Sequence, residues 1–245
     1  MAEFVDPFAS ALKAGERPNC DGLVLVVGLS WAKDNSRYQR LASDLSALDD
    51  SLHVYDGAYT HCTLATLSRY FFKNSRSPFF HASAADQDRV IQAWHQSLTA
   101  AFARTRGLQP FELVFRSLET SPAATFLLAE DASKTIEALR AAVRDAASNA
   151  TLGELSAELE KKYAGAHPDL CSLRDALHVP DIIHSTVMRL AATPSDANRL
   201  AEGLAGLAAR WEPTTVRLSE LSLVNEKHPY MHLAREAHRY SLPFG

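Results

Sequence analysis

The sequence predicts an α+β protein: a duplicated two-lobe fold with mostly antiparallel sheets and the helices outside. Strand-like apolar runs are interspersed with segments whose apolar residues recur at helical spacing. A strand–helix–strand order also occurs twice, in residues 52–67, 86–106 and 111–118 and again in residues 182–190, 195–211 and 216–224. Because no segment has the composition of a flexible linker, we expect residues 1–245 to form a single domain.

In the first half of the chain, a polar leader precedes alternating strands and helices. The β-branched run 23–27, bounded by glycines, predicts a buried strand, and residues 36–48 predict an amphipathic helix. The remaining segments are predicted as extended over 52–67, loop over 68–83, helix over 86–106, and strands over 111–118 and 124–129 with a turn at Ser121-Pro122.

The second half of the chain continues with helices before the last strands. Residues 133–148 predict a helix, and Thr151 with Glu154 has the spacing of a capping box for a further helix that reaches Tyr163. The remaining segments are predicted as irregular over 165–180, strand over 182–190, helix over 195–211, and strands over 216–224 and 231–242.

Composition excludes several classes of protein. Apolar residues make up 47% and charged residues 22%, which argues against disorder. A net charge of −4 excludes a broadly basic nucleic-acid binder, but not an enzyme with one local phosphate site. Three widely spaced cysteines form neither a disulfide framework nor a zinc pattern. With no signal-peptide pattern and no run long enough to cross a bilayer, we expect a cytoplasmic protein without membrane contact.

A short motif that occurs twice supplies the candidate site. His61-x-Thr63 and His184-x-Thr186 each lie in an apolar run. Successive side chains of a strand point to opposite faces, so the His and Thr of each copy share one face. If the two strands meet, two imidazoles and two hydroxyls surround one point, which suits a phosphate because imidazole serves as acid or base near neutral pH. The alternative is a pair of ordinary, partly buried histidines near strand ends.

The paired motifs, the order of elements and the duplication resemble the two-histidine (2H) phosphoesterase superfamily over roughly residues 23–242. The resemblance implies that a His-x-Thr strand from each lobe lines a central groove. It further implies a monomeric phosphodiesterase, without metal or other cofactor, that hydrolyses 2′,3′-cyclic phosphates at RNA ends or in small nucleotides to 2′-phosphates. His184 would take a proton from water, His61 would protonate the departing 3′ oxygen, and Thr63 and Thr186 would donate to the non-bridging oxygens.

Other residues qualify the resemblance. Arg189, five residues after the second His, matches a basic residue common in bacterial members, which implies substrate binding. Thr66 stands where many members have a Phe that stacks on a base. The long separation of the motifs suggests an insertion at residues 151–180, and the aromatic loop 68–80 also departs from the short bacterial connection. These departures concern the substrate more than the class of reaction.

Further candidates for substrate binding lie outside the motifs. Lys227 and Tyr230 occupy a predicted turn between the last two strands, from which they could reach the site; the alternative is turn chemistry set by Pro229. The loop 68–83 also carries basic and aromatic side chains that could hold a nucleotide; the alternative is an ordinary surface loop. These side chains are Arg69, Tyr70, Phe72, Lys73 and Arg76.

Several functions remain open at this point. Close variants of the same activity are a 2′-5′ oligonucleotide phosphodiesterase and an RNA exonuclease. A function of another class is a module that binds RNA or a nucleotide without turnover. Because both histidines and both threonines are present, the sequence favours catalysis.

Overall fold

The computed structural model describes residues 5–18, 20–68, 76–106, 108–122, 124–231 and 235–242. Within these ranges the strands are β1 Gly22–Val27, β2 Leu52–Val54, β3 Cys62–Ser68, β4 Phe111–Thr120, β5 Ala124–Glu130, β6 His184–Leu190, β7 Thr214–Leu218, β8 Glu220–Glu226 and β9 Arg235–Ser241. The α-helices are α1 Pro7–Lys13, α2 Ser36–Ser46, α3 Pro78–His81, α4 Ala84–Arg104, α5 Thr135–Ala146, α6 Ala150–Tyr163 and α7 Ala197–Arg210. No helix in these ranges is both long and apolar enough to span a bilayer.

The strands form two antiparallel sheets that exchange strands between the halves of the chain. The first sheet has the order β3-β1-β8-β9 and the second the order β2-β6-β5-β4-β7. The motif strands pair in equivalent ways, β3 with β1 and β6 with β5. Each half also contributes a strand to the sheet that contains the other half's motif strand: β4 lies beside β5, and β8 lies beside β1. This confirms the α+β two-lobe fold predicted from the sequence.

One continuous apolar core joins the sheets to their helices. Helix α4 begins at Ser83, whose hydroxyl accepts the Asp86 backbone N–H, and it buries Trp94 and Phe102 in the same cluster as the β1 residues Leu23 and Leu25. Strand β1 is buried along its whole length. Its other face joins a second, smaller apolar cluster, formed by Val24, Val26, Val224 and Met231. The motif strand β3 therefore pairs with a strand that is packed on both faces.

Two predicted strands are each divided in the structure. Residues 52–67 were predicted as one extended segment, but a 3₁₀ helix, Gly57–Tyr59, separates β2 from β3, and the two strands belong to different sheets. The prediction of one strand over 216–224 is wrong for the same reason. The chain leaves the second sheet at the end of β7 and enters the first with β8, and the backbone carbonyl of Ser219 between them accepts the Leu242 N–H at 2.7 Å.

The leader and the predicted loop region also differ from expectation. The polar leader contains a helix, α1, capped by Asp6. Within the predicted loop 68–83, residues 69–75 lie outside the described ranges, and with them Arg69, Tyr70, Phe72 and Lys73. The end of that loop is the short helix α3, in which Phe79 is fully buried. Arg76 donates to the Asp169 carbonyl at 2.7 Å.

The region predicted as an insertion, residues 151–180, packs against the first lobe. Its helix α6 is confirmed through Tyr163, although Asn149 and not Thr151 provides the N-terminal cap. The buried carboxylate of Asp86 on α4 accepts hydrogen bonds from Lys162 and from the Tyr163 hydroxyl. Beyond the helix, His178 exchanges two backbone hydrogen bonds of 2.8 Å with Thr66. The insertion therefore covers the edge of the motif strand β3.

Candidate functional site

The two motif strands have the same irregularity at the same position. In the pairing of β1 with β3, Leu64 is an extra residue between Thr63 and Ala65, and in the pairing of β5 with β6, Val187 is an extra residue after Thr186. Each bulge therefore lies three residues after the motif His. A bulge shifts the alternation of faces by one residue. As a result, the fifth position after each His, Thr66 or Arg189, joins the face of the His and the Thr.

Burial follows this pattern in both strands. His61, Thr63 and Thr66, like His184, Thr186 and Arg189, are partly exposed, whereas the residues between them are buried. Cys62 is 2% exposed and its burial raises the pKa of its thiol to about 12, which agrees with a core residue rather than a nucleophile. Ser185, its counterpart, is fully buried and accepts a hydrogen bond from Trp31 Nε1 at 3.1 Å.

The imidazole of His61 is oriented by the carbonyl two residues earlier, since His61 Nδ1 lies 2.9 Å from the Tyr59 oxygen. At the matching position of the second motif, the Ile182 backbone partly offsets the lowering of the His184 pKa by burial. Because a carbonyl oxygen only accepts, Nδ1 of His61 carries the proton, and Nε2 is the nitrogen that remains for a substrate. The carbonyl of Tyr59 is itself fixed by the 3₁₀ helix, where Asp56 Oδ1 accepts the Ala58 N–H at 2.8 Å.

The two motif strands lie against each other, and their histidines interact electrostatically. Burial, with a smaller contribution from the charge of His184, lowers the pKa of His61 to about 4. Burial also lowers the pKa of His184, with a further contribution from the positive charges of Arg189 and Arg140. Burial favours the neutral form of each imidazole, and the two histidines titrate as a coupled pair.

Arg189 and Tyr230, two of the predicted substrate-binding residues, lie together. The guanidinium carbon of Arg189 is 4.5 Å from the centre of the Tyr230 ring, which is a cation–π contact. Arg189 also forms a salt bridge with Asp6 and donates from Nε to the Tyr55 hydroxyl at 3.1 Å. Its charge lowers the pKa of both His61 and His184. The positive charge of Arg189 therefore disfavours protonation of both imidazoles.

Tyr230 occupies an unusual backbone conformation. Tyr230 and Met231 have φ angles of 60° and 62°, in the left-handed region that side chains disfavour. The buried carboxylate of Glu226 accepts the backbone N–H of Met231 at 2.9 Å. Burial raises the pKa of Glu226 to about 7. This carboxyl group thus holds the turn that places the Tyr230 ring over Arg189.

Lys227 lies in a different environment. Its ammonium forms a salt bridge with Asp21 and donates to Gln87 Oε1 at 3.0 Å, near the start of β1 and the first turn of α4. Asp21 and Gln87 thus already bind the ammonium that was predicted to bind substrate. Binding of substrate by Lys227 stays a prediction, and the contacts of Lys227 do not favour it.

Several residues of the site were missed in the sequence. Phe126 of β5 faces the motif strand opposite Thr186 and packs edge-on against His184, with the ring centroids 5.3 Å apart. The strand 124–129 was predicted, but its pairing with β6 and the face of the sheet on which Phe126 lies were not. Asp6 followed by Pro7 is the usual start of a helix and could have revealed α1.

Among the described residues, no group of three or more His, Cys, Asp or Glu side chains is arranged to hold a metal ion.

Comparisons with known proteins give similarity in structure only. No family model and no curated protein sequence matches the chain. TT0787 of Thermus thermophilus is similar with a TM-score of 0.48 and 15% identity, over 90% of this chain and 97% of that one. E. coli LigT, solved with 3′-AMP, gives 0.45 and 13% over 92% and 99% of the two chains. A conserved protein of unknown function from Agrobacterium tumefaciens str. C58, ATU0111, gives 0.47 and 15% over 96% and 92%. The chemistry of the site rests on this chain's own residues.

Proposed function

We propose that this protein is a phosphodiesterase of the two-histidine type that needs no metal and hydrolyses 2′,3′-cyclic phosphates, at RNA ends or in nucleotides, to 2′-phosphates. The observation that carries the proposal is the matched pair of His-x-Thr strands. In each, a bulge three residues after the His puts His, Thr and the fifth residue on one face, and in the first the Tyr59 carbonyl also orients the imidazole.

The reaction needs two proton transfers. A neutral imidazole takes a proton from water, the hydroxide forms a bond to phosphorus, the bond from phosphorus to the 3′ oxygen breaks, and a protonated imidazole gives its proton to that oxygen. Thr63 and Thr186 donate to the non-bridging oxygens, where negative charge grows in the transition state. Removal of either histidine is expected to slow the reaction by roughly 10²- to 10⁴-fold.

The resemblance implies His184 as base and His61 as acid. The opposite assignment uses the same two imidazoles, whose pKa values are both lowered by burial, and a substrate whose leaving group needs no proton distinguishes the two assignments.

The first experiment compares the unchanged protein with His61→Ala and His184→Ala. Each is incubated with a 2′,3′-cyclic mononucleotide and with a 2′-5′ dinucleotide, in excess chelator, and products are separated by chromatography. His167→Ala is the matched control, because His167 stacks on His81, with the ring centroids 3.7 Å apart, and removing it takes away an imidazole elsewhere. We expect a 2′-phosphate from the unchanged protein and the control, and almost none from the motif variants.

Other outcomes separate the alternatives. Cleavage of the 2′-5′ dinucleotide alone would identify the oligonucleotide phosphodiesterase, and stepwise shortening of RNA would identify the exonuclease. Loss of activity in chelator, restored by a divalent ion, would overturn the metal-free mechanism. RNA binding without any product would leave the binding module.

A second experiment assigns the acid. A nucleoside p-nitrophenyl phosphodiester has a leaving group that needs no proton, so it restores activity to the variant that lacks the acid but not to the variant that lacks the base. Rescue of His184→Ala supports His184 as the acid, whereas rescue of His61→Ala supports the assignment implied by the resemblance.

A further inference from the structure

The N-terminal helix α1 contributes a carboxylate to the environment of Arg189. Asp6 is 3% exposed, and its two carboxylate oxygens have separate partners. Oδ1 accepts the backbone N–H groups of Phe8 at 2.9 Å and Ala9 at 3.1 Å, which caps α1. Oδ2 accepts from Arg189 Nη1 at 3.2 Å and from the Tyr230 hydroxyl. The same carboxylate thus starts the helix and binds the guanidinium.

The guanidinium of Arg189 is constrained on three sides. Asp6 binds Nη1, the Tyr55 hydroxyl accepts from Nε, and the Tyr230 ring covers one face. Among the contacts of the described residues, Nη2 has no hydrogen-bond partner, and the side chain is 21% exposed. The β6 bulge puts Arg189 on the face of His184 and Thr186. One end of the guanidinium is therefore fixed, and the other is left to donate to an anion.

We propose that Asp6 is a positioning residue that acts through Arg189. It holds the guanidinium in the rotamer that presents Nη2 to the phosphate, so that the side-chain freedom of a long arginine is lost on folding and not on substrate binding. The inference rests on the proposed phosphodiesterase for its substrate. It adds that α1, which belongs to neither motif strand, takes part in binding the phosphate.

The alternative is that Asp6 only stabilises the fold. Asp6→Asn separates the two roles, because Asn caps a helix as well as Asp but carries no charge toward Arg189. Tyr230→Phe is a second, milder variant that removes only the hydroxyl bonded to Asp6. Lys13→Met is the matched control: Lys13 Nζ donates to the Leu52 carbonyl at 2.9 Å and attaches the same helix to β2 without touching Arg189.

The test is a double-mutant cycle of Asp6→Asn with Arg189→Gln, read in two ways. Steady-state kinetics give kcat and KM for a 2′,3′-cyclic mononucleotide, and calorimetry gives the Kd of inorganic phosphate. A hydrogen bond to a charged group is worth enough that Asp6→Asn should raise KM and the phosphate Kd by roughly 10- to 100-fold, with little change in kcat. In the Arg189→Gln background the further effect should be less than about twofold. Lys13→Met should change neither.

Each contrary result has a definite meaning. Additive losses in the double variant, an equal loss in Lys13→Met, or an unchanged phosphate Kd in Asp6→Asn would each overturn the positioning role. If Asp6→Asn does not fold, Tyr230→Phe must show the same dependence on Arg189, though weaker, or the inference fails. If the unchanged protein turns over no phosphodiester, the proposed function fails, and the cycle in phosphate Kd still decides the role of Asp6.

Discussion

Replacing Glu226 by Gln should make the protein more stable at alkaline pH and no more stable at acidic pH. Glu226 is 3% exposed, and burial raises its pKa from 4.5 to about 7. Between these values the folded state binds more protons than the unfolded state, so the contribution of this group to stability falls as pH rises. One pKa unit corresponds to about 1.4 kcal/mol, which gives about 3 kcal/mol lost by pH 8.

Gln reproduces the protonated form of this side chain. Its carbonyl oxygen can still accept the N–H of Met231, and its amide takes the place of the acid's hydroxyl. The unfolding free energy of Glu226→Gln should therefore match that of the unchanged protein near pH 4.5 and exceed it by about 3 kcal/mol at pH 8. For a chain of this size that corresponds to an increase in Tm of roughly 6–12 °C.

The difference between the two proteins must be measured, and not the pH dependence of either alone. His61 acts in the opposite direction: its pKa is lowered from 6.5 to about 4, so its contribution to stability rises with pH through that window. The two effects partly cancel in the unchanged protein. Urea unfolding of both proteins at half-unit steps from pH 4.5 to 8 isolates Glu226. A difference in unfolding free energy that does not vary with pH would refute the reasoning.

Two further predictions concern the site and its supporting turn. Thr63→Val and Thr186→Val keep the shape of the side chain but remove a donor, so each should lower kcat by roughly 10²-fold with little change in KM, as steady-state kinetics would reveal. Gly57→Ala would put a Cβ 2.6 Å from the Ala32 carbonyl oxygen, so thermal unfolding should show a loss of about 1–3 kcal/mol. Gly153→Ala is the control, because nothing lies within 4 Å of the added methyl, and a loss equal to that of Gly57→Ala would contradict the steric argument.

The paired strands and the faces of their motifs could be predicted because side-chain alternation is a local property. The effect of the bulges could not. Without them, Ala65 and Met188 would share the face of the histidines, and nothing local distinguishes Leu64 or Val187 as the extra residue. A bulge is defined by the pairing with the neighbouring strand, and the sequence of one strand alone does not predict how it pairs with a distant segment of the chain.

The break at Ser219 was missed for a related reason. Residues 216–224 have strand-forming composition throughout, so periodicity gives no sign that the two ends pair in different sheets. The contact of Asp6 with Arg189 was missed because the two residues are distant in the sequence. By contrast, the helix α4 was predicted to within two residues at each end, since its apolar face recurs over more than five turns.

The exchange of β4 and β8 between the sheets has a consequence for how the protein unfolds. Neither half of the chain contains a whole sheet, so a fragment cut within the β5–α5 connection would expose the edge of a strand that normally has a neighbour from the other fragment. The halves should accordingly melt together rather than in sequence, and co-expressed fragments should be soluble only as a pair. The spacing between the two histidines is thereby tied to the integrity of the entire chain.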